Sequence, residues 1–282
     1  MSKTLMCFVV LGCLFALIGA TSSIGVIKSS GEFRVDGLAV RGNGTLFEGD
    51  LVETTAARSV VHLAGAQLTL LPDSRAKVYQ DHTILEKGSE LISKSLGHTV
   101  EVASLRVAPA DKNSVLQLDV TGPSSVSITT TSGEADVRNA QGLLVARVMP
   151  GMPLAFNAQA ASPSTVDLIG VVEVRDGNYF LTDKCANITV QLQGTDLAQY
   201  VGKRVEVNGT VNTAATAATG ASEVVAVTTV NATNKKSCGP AGGGLSAGAK
   251  AAIIGGIAVV GTIAGLAAAG VIGGPSAPPV SQ

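Results

Sequence analysis

The sequence predicts a mainly β protein that is followed by a C-terminal transmembrane helix. Between residues 24 and 234, short runs of alternating apolar and polar residues are separated by glycines and by turn pairs such as Asp176-Gly177. This is the pattern of short strands joined by tight turns. Residues 251–272 differ, because they form a run of 22 residues without a charged side chain. A helix of about 20 apolar residues spans the hydrocarbon core of a bilayer.

The charge balance argues against a nucleic-acid partner. The chain has 20 Lys and Arg against 21 Asp and Glu, and charged residues make up only 15% of it. Proteins that bind nucleic acid usually carry a basic field. The near-neutral balance therefore makes nucleic acid an unlikely ligand.

Residues 1–23 have the outline of a secretory signal peptide. Lys3 provides a short positive region, residues 6–18 are apolar, and the small residues Gly19 and Ala20 follow. We expect cleavage after Ala20 and export of the β modules to the periplasm or the outside of the cell. An uncleaved signal anchor and a lipidated Cys13 are the alternatives.

Residues 24–161 form the first predicted β module. Runs such as 59–63 (SVVHL) and 67–70 (QLTL) have strand character. Gly49-Asp50 and Pro72-Asp73-Ser74 are typical of tight turns, because glycine tolerates a positive φ and aspartate can bond the backbone ahead of it. We therefore expect structural roles for Asp50 and Asp73.

Part of this module, residues 24–91, resembles the FecR-type exported domain. The resemblance is carried by the run GDLVET at 49–54 and, after it, the run LTLLPDS at 68–74. It implies a β-sandwich or roll. A weak internal repeat, SGEADV at 132–137 against SGEFRV at 30–35, would instead allow a short β-solenoid of stacked hairpins.

The FecR resemblance also bears on function. Members of that family sense an extracytoplasmic signal and pass it to a sigma factor through a cytoplasmic segment. Here a leader precedes the module, and the ten residues GGPSAPPVSQ follow the apolar run. We therefore expect a binding or scaffold module of the cell envelope, and a FecR-type transmembrane regulator of a sigma-factor pathway is the alternative.

Residues 162–234 form the second predicted β module. Five strand-like runs occur, with a short helical segment at 196–201 between the third and the fourth, which is the order of elements in an OB-fold. The segment 197–211 (LAQYVGKRVEVNGTV) resembles small exported OB-like domains of bacteria. The low-complexity segment 214–221 (AATAATGA) is predicted to be a flexible loop between the fourth and fifth strands.

An OB-fold resemblance implies an oligonucleotide or oligosaccharide ligand, but this module has few side chains for nucleic acid. Its aromatic residues are Tyr179, Phe180 and Tyr200, and stacking platforms with a basic groove are expected for single strands. Its cations Arg175, Lys184, Lys203 and Arg204 are scattered along the sequence. We expect the three rings to pack in the core or at an edge.

Two cysteines lie beyond the leader. Cys185 and Cys238 could form one disulfide in an oxidising compartment. Two free thiols are the alternative.

Residues 235–250 form a glycine-rich linker, residues 251–273 the predicted transmembrane helix, and residues 274–282 a short tail. Gly261, Gly265, Ala269 and Gly273 recur every fourth residue and would line one helical face. Such faces favour self-association in lipid, so we expect a homo-oligomer. Lys235, Lys236 and Lys250 precede the helix and the tail has no cation, which also allows a segment that does not cross the inner membrane.

No sequence motif predicts catalysis. The histidines His62, His82 and His98 have no metal-ligand spacing, and no metalloprotease, P-loop or nucleophile-elbow motif occurs. We expect no cofactor, no metal and no enzymatic activity. The sequence thus predicts a membrane-anchored cell-envelope protein whose β modules bind or scaffold an envelope protein or glycan.

Overall fold

The computed structural model describes residues 22–95, 97–158, 164–194, 196–236 and 252–261. These residues are built almost entirely of strands, with one short 3₁₀ turn, Leu197–Tyr200. The prediction of a mainly β protein is confirmed. Residues 1–21 of the leader, most of the linker 235–250 and the tail 274–282 lie outside the described residues, so the predictions made for them stay predictions.

The first part of the chain contains fifteen strands. They are β1 (Gly25–Val35), β2 (Leu38–Leu46), β3 (Asp50–Thr54), β4 (Ser59–Leu63), β5 (Gln67–Leu70), β6 (Arg75–Val78), β7 (His82–Lys87), β8 (Ser89–Ser93), β9 (Thr99–Val102), β10 (Leu105–Pro109), β11 (Val115–Gly122), β12 (Ser125–Ser132), β13 (Ala135–Asn139), β14 (Leu144–Val148) and β15 (Leu154–Ala158).

These strands form two layers that share β1. The N-terminal half of β1 pairs with β4, and the first layer continues through β5, β8, β11, β12 and β15. The C-terminal half of β1 pairs with β3, and the second layer continues through β6, β7, β9, β10, β13 and β14. A register shift between Lys28 and Glu32 interrupts β1, and such bulges bend a strand. One strand can therefore serve both layers.

The hydrophobic core lies between the layers. Leu68 and Leu70 of the first layer, and Ala76 and Val78 of the second, occupy alternate positions and are almost completely buried. Phe33 and Phe156 are the largest fully buried side chains. Burial of apolar area at about 25 cal/mol per Å² makes this face-to-face packing the main stabilising contribution of the sandwich.

Side-chain hydrogen bonds fix the two predicted turns, and the one at Ser74 also links the two layers. Oδ2 of Asp50 accepts a hydrogen bond from the backbone N–H of Phe47 at 2.8 Å. The hydroxyl of Ser74, which is 1% exposed, donates to the carbonyl of Ser89 at 2.9 Å. Gly88 packs so closely on Ser74 that a Cβ there would lie 2.5 Å from the Ser74 Cα. The structural roles expected for these turns are confirmed.

A closed five-stranded barrel follows the sandwich. Its strands are β16 (Thr165–Arg175), β17 (Asn178–Asp183), β18 (Ile188–Gln193), β19 (Arg204–Val211) and β20 (Glu223–Ala232). β16 pairs with β17 and with β19, β17 pairs with β18, and β20 closes the barrel by pairing antiparallel with β19 and parallel with β18. The 3₁₀ turn lies between β18 and β19.

The prediction of a transmembrane helix over 251–273 is wrong for residues 252–261. These residues form two strands, β21 (Ala252–Ile254) and β22 (Ile257–Gly261), which pair as a hairpin. Gly255 and Gly256 have φ values of 55° and 79°. Two successive residues with positive φ form the turn of a two-residue hairpin, where glycine is favoured. A right-handed helix cannot continue through this conformation. Among the described residues, no helix is long and apolar enough to span a bilayer.

The β21–β22 hairpin, termed here the bridging hairpin, joins the sandwich to the barrel. β22 pairs along its whole length with β15, the last strand of the sandwich. β21 pairs with Val166 and Asp167 of β16, the first strand of the barrel. Val259 is fully buried and Ile254 is 2% exposed. The apolar side chains that suggested a membrane segment are thus buried between the two parts of the protein.

Candidate functional site

The three aromatic residues of the barrel do not form an exposed stacking surface. Tyr179 and Tyr200 are partly buried and pack against the hydrophobic core, and Phe180 is 2% exposed. The hydroxyl of Tyr200 donates to the carbonyl of Val230 at 3.2 Å. The packing roles expected for these rings are confirmed.

Phe180 is buried on the outside of the barrel. It lies between Glu173 of β16 and Gln191 of β18 in register, and the guanidinium carbon of Arg175 sits 5.2 Å from the centre of its ring. Arg175 also donates to Glu173 at 2.5 Å. Of the predicted cations, Lys184, Lys203 and Arg204 are exposed.

Residues 212–222, termed here the covering loop, fold against this outer face. The side-chain carbonyl of Gln191 accepts from the N–H of Ala218 at 2.8 Å. The N–H of Ser222 donates to the carbonyl of Thr189, also at 2.8 Å. The predicted loop between the fourth and fifth strands thus occupies the barrel surface beside Phe180.

A buried polar cluster lies inside the sandwich. It consists of Glu90 on β8, Thr83 on β7 and His98 just before β9, which are 0%, 0% and 2% exposed. Oγ1 of Thr83 lies 2.8 Å from Nε2 of His98. Neither oxygen of Glu90 nor Nδ1 of His98 has a partner within hydrogen-bond geometry. Unpaired buried polar atoms are uncommon in folded proteins.

Burial shifts the pKa values of the two titratable residues of the cluster in opposite directions. Desolvation raises the pKa of Glu90 to about 8, and the Thr83 hydroxyl offsets this only partly. Desolvation lowers the pKa of His98 to about 4, while the carbonyl of Gln80 opposes the shift. Both groups are therefore uncharged at neutral pH, as expected for ionisable side chains without a counter-charge in a low-dielectric interior.

The hydroxyl–imidazole–carboxyl composition of the cluster is typical of nucleophilic catalysis, but its geometry is not. A nucleophile must reach a substrate, and Thr83 is fully buried. Of the three residues, only His98 lines an open cleft, which has a volume of about 600 Å³. Turn residues at one end of the sandwich form this cleft together with Glu48 and Asp81. The cluster can bind and release protons, whereas its hydroxyl is closed to substrates.

The other two histidines lie at the surface or in packing contacts, as expected. His62 is exposed. The ring of His82 stacks on Tyr79 with centroids 4.3 Å apart, and its Nδ1 lies 2.7 Å from Oδ1 of Asp81. This contact lowers the pKa of Asp81. Within the described ranges, no three His, Cys, Asp or Glu side chains are grouped so that they could hold a metal ion.

The sequence analysis missed Glu90 as a buried group. The run Ser89–Ser93 (SELIS) does contain a signal, since Glu90 is in phase with the buried Ile92. Successive inward positions of a strand are two residues apart. A charged residue in the buried phase of a strand is the pattern that would have identified it.

Cys185 is disulfide-bonded in the structure. Its Sγ lies 3.5 Å from the carbonyl oxygen of Val259, next to the bridging hairpin. The buried Asp183 accepts from the N–H groups of Cys185 and Ala186 at 2.7 and 3.2 Å, and desolvation raises its pKa to about 6. Cys238 lies outside the described residues, so the Cys185–Cys238 pairing stays a prediction.

The residues of the predicted helix-packing face do not lie on a described helix. Gly261 is the last residue of β22 and pairs with Leu154, which corrects its assignment to a transmembrane helix. Gly261 is in a strand because β22 pairs with β15 along its whole length. Gly265, Ala269 and Gly273 lie outside the described residues.

Searches of protein families, of curated proteins and of solved structures find no match to this chain.

Proposed function

We propose that the protein is an exported, non-enzymatic scaffold of the cell envelope, whose two β modules together bind an envelope protein or glycan. The observation that carries this proposal is the bridging hairpin, which pairs with the last strand of the sandwich and the first strand of the barrel. Paired strands on both sides hold the two modules as one continuous sheet. A scaffold needs such a fixed spacing between its surfaces. The proposal includes no membrane-spanning helix at residues 252–261.

Further contacts between the modules support the proposal. The N–H of Arg147 on β14 donates to the carbonyl of Ala186 at 2.8 Å, and Nδ2 of Asn187 donates to the carbonyl of Arg147 at 3.2 Å. These two bonds lie at the end of the second layer, whereas the hairpin continues the first layer. Each layer of the sandwich is therefore attached to the barrel, which resists bending in either direction.

The finer architectural assignments belong to this proposal. The barrel pairs its strands in the order β16–β17–β18–β20–β19 with a parallel contact between β18 and β20, which supports an OB-like barrel. The turns at Asp50 and Ser74 support a FecR-like sandwich. Both resemblances are to extracytoplasmic domains and thus agree with export.

The experiment combines localisation with capture of a ligand. The full chain, with a C-terminal tag, is expressed in a Gram-negative host, and periplasmic, membrane and cytoplasmic fractions are probed for the tag. We expect a processed chain in the periplasmic or outer fraction. Purified processed chain is then incubated with isolated sacculi and with envelope extract, followed by cross-linking and mass spectrometry.

A matched variant tests whether the fixed spacing matters. Val259→Asp places an unpaired charge in the bridging hairpin and should weaken capture, whereas Val260→Thr, at a partly buried position of the same strand, should leave it unchanged. Retention of the unprocessed chain in the cytoplasm would contradict export. Equal capture by Val259→Asp and the unchanged protein would contradict the scaffold.

A further inference from the structure

A second cleft lies on the sandwich, and its lining includes none of Thr83, Glu90 and His98. It has a volume of about 540 Å³ and is formed by the β9–β10 turn, the adjacent faces of β10 and β13, and residues 139–142 after β13. Pockets for small ligands generally measure about 300–1,000 Å³. We call it the arginine cleft, after Arg106 and Arg138 in its lining.

The two arginines face each other across neighbouring strands. Arg106 of β10 and Arg138 of β13 are direct partners in the antiparallel register, so their side chains leave the sheet on the same face. Both side chains are well exposed, at 62% and 42%. Like charges directly opposite each other destabilise a sheet, and an anion between them would remove that repulsion.

The acidic residues nearby neutralise the arginines unequally. Glu101 in the cleft accepts from Arg106 at 2.5 Å. Asp136 instead accepts from Arg147 at 2.8 Å, and lies 3.7 Å from Arg138. Because Asp136 is shared in this way, Arg138 has the weaker acidic partner and is the better anion ligand of the two.

The walls of the cleft are preorganised. Nη1 of Arg138 donates to the carbonyl of Gly142 at 3.0 Å. The side-chain oxygen of Asn139 accepts from the N–H groups of Gln141 and Leu143, both at 3.0 Å. These bonds hold the 139–142 segment in place without a ligand, which reduces the entropy that binding must overcome.

The opposite wall is strained. Ala103 and Ser104 form the β9–β10 turn with φ values of 47° and 65°, where glycine or asparagine is usually found. Residues held in such conformations cluster at ligand sites. The strained turn and the opposed arginines are independent features that meet at the same cleft.

We propose that the arginine cleft binds the oxyanion of a small ligand, a carboxylate or a phosphate group, between the guanidinium groups of Arg106 and Arg138. Guanidinium groups recognise both oxyanions through paired hydrogen bonds. The half-buried side chain of Ile84 offers an apolar contact for the rest of the ligand. The inference rests on residues 84–147 of the sandwich and does not depend on export or on the scaffold.

The test uses the purified full chain and three defined probes. Galacturonate supplies a sugar carboxylate, inorganic phosphate supplies a free phosphate, and galactose is the uncharged control. Binding is followed by isothermal titration and by amide chemical-shift changes in ¹⁵N-labelled protein. We expect saturable binding of at least one anion, shifts at residues 103–106 and 138–142, and no response to galactose.

Three variants assign the binding to the cleft. Arg138→Gln should weaken anion binding by about tenfold or more, because a charge-assisted hydrogen-bonding group is lost, and Arg106→Gln should weaken it less. Arg41→Gln is the matched control, since Arg41 forms a similar cross-strand pair with Glu32 at 3.1 Å on another part of the sandwich. Circular dichroism checks that all three variants are folded.

The outcomes separate the two sources of the anion. Binding of galacturonate alone assigns a sugar acid, and binding of phosphate alone assigns a phosphate-bearing ligand. The absence of saturable binding by either anion would overturn the inference, as would equal affinities of Arg138→Gln, Arg106→Gln and the unchanged protein. Either result would leave the scaffold proposal standing, because that proposal is tested by localisation and capture.

Discussion

Oγ1 of Thr83 lies 2.8 Å from Nε2 of His98 in the interior of the sandwich, beneath an open cleft. The same hydroxyl acts on the carboxyl of Glu90, which has no charged partner. A buried acid and a buried base thus lie near one neutral hydroxyl, which hydrogen-bonds only the imidazole. Neither group is charged at neutral pH, and this has measurable consequences for stability.

Glu90 should make the protein less stable as the pH rises. Its folded pKa of about 8 lies above the ordinary value of 4.5. The contribution of protonated Glu90 to the stability of the folded protein is therefore complete below about pH 4.5. It is lost as the pH rises towards 8. We expect Glu90→Gln to remove this loss and to raise the free energy of unfolding at pH 8 by on the order of 4 kcal/mol.

Urea unfolding between pH 4 and 9 measures this effect. Glu32→Gln, which neutralises a partly exposed carboxylate on β1, is the control and should leave the pH dependence unchanged. A pH profile of Glu90→Gln that parallels the unchanged protein would show that Glu90 ionises normally.

His98 should make the protein less stable as the pH falls. Its folded pKa of about 4 lies below the ordinary value of 6.5, so its contribution to stability is complete above about pH 6.5 and is lost as the pH falls towards 4. We expect His98→Gln, which can keep a contact with Thr83, to flatten the stability profile between pH 6.5 and 4. The loss avoided is on the order of 3 kcal/mol at pH 4.

The slope of the profile is the relevant quantity for His98, because the substitution also changes packing at every pH. His62→Gln replaces an exposed histidine and should retain the original slope. If His98→Gln loses stability with acid as steeply as His62→Gln does, the imidazole of His98 is not the group that titrates.

The turn of the bridging hairpin can be tested by substitution at Gly255, whose φ is 55°. Asparagine tolerates this conformation, whereas a β-branched residue does not. Gly255 is buried, so any side chain there costs some packing, and we expect Gly255→Val to lower the free energy of unfolding by about 1–2 kcal/mol more than Gly255→Asn does. Denaturant unfolding in detergent-free buffer measures both. A membrane helix would tolerate valine well, so the opposite order would contradict the hairpin.

The β9–β10 turn should be stabilised by glycine. Ser104 has a φ of 65°, and release of this strain by Ser104→Gly is expected to raise the free energy of unfolding by about 1 kcal/mol. Thermal unfolding provides the measurement. Ser124→Gly, in the β11–β12 turn without a positive φ at that residue, should give no increase. A loss of stability with Ser104→Gly would show that the turn is not strained.

The disulfide partner of Cys185 can be identified directly. We expect non-reducing peptide mapping of the processed chain to yield a peptide pair that links Cys185 to Cys238, and reduction to separate the pair. In a Cys238→Ser variant, Cys185, which is buried in the folded protein, should be alkylated without prior reduction once the protein is unfolded. A free Cys185 thiol, or a Cys185–Cys185 linkage between two molecules, would refute the predicted pairing.

Much of the fold follows from local pattern. The period-two runs predicted strands such as Gln67–Leu70, and Asp176-Gly177 predicted the turn between β16 and β17, where both residues have positive φ. Strand formation depends on alternation and turn chemistry, which short segments carry by themselves. The sequence also predicted the five strands of the barrel and, between the third and the fourth, the short turn at Leu197–Tyr200.

The C-terminal segment could not be assigned in this way. Gly255-Gly256 between Ile and Val residues is a hairpin signal, but the length of the apolar run favoured a membrane helix. Both environments satisfy the same apolar side chains. The strands that decide between them, β15 and β16, are far away in the sequence.

The candidate sites depend even more on such distant contacts. The opposition of Arg106 and Arg138 arises from strand pairing, and neither residue belongs to a recognisable motif. The contact between Thr83 and His98 brings together a strand and a loop that are 15 residues apart in the sequence. Sequence pattern predicts elements, whereas these groupings require the register between them.

The position of the bridging hairpin also determines the order in which the protein can fold. β22 pairs with β15, although the whole barrel is synthesised between them. Until the C-terminal residues leave the ribosome, β15 and the start of β16 present unpaired backbone edges, which are prone to aggregation. Completion of the sheet is therefore a late, long-range event of the slow kind. Chains that are truncated before residue 252 should therefore depend on chaperones for solubility.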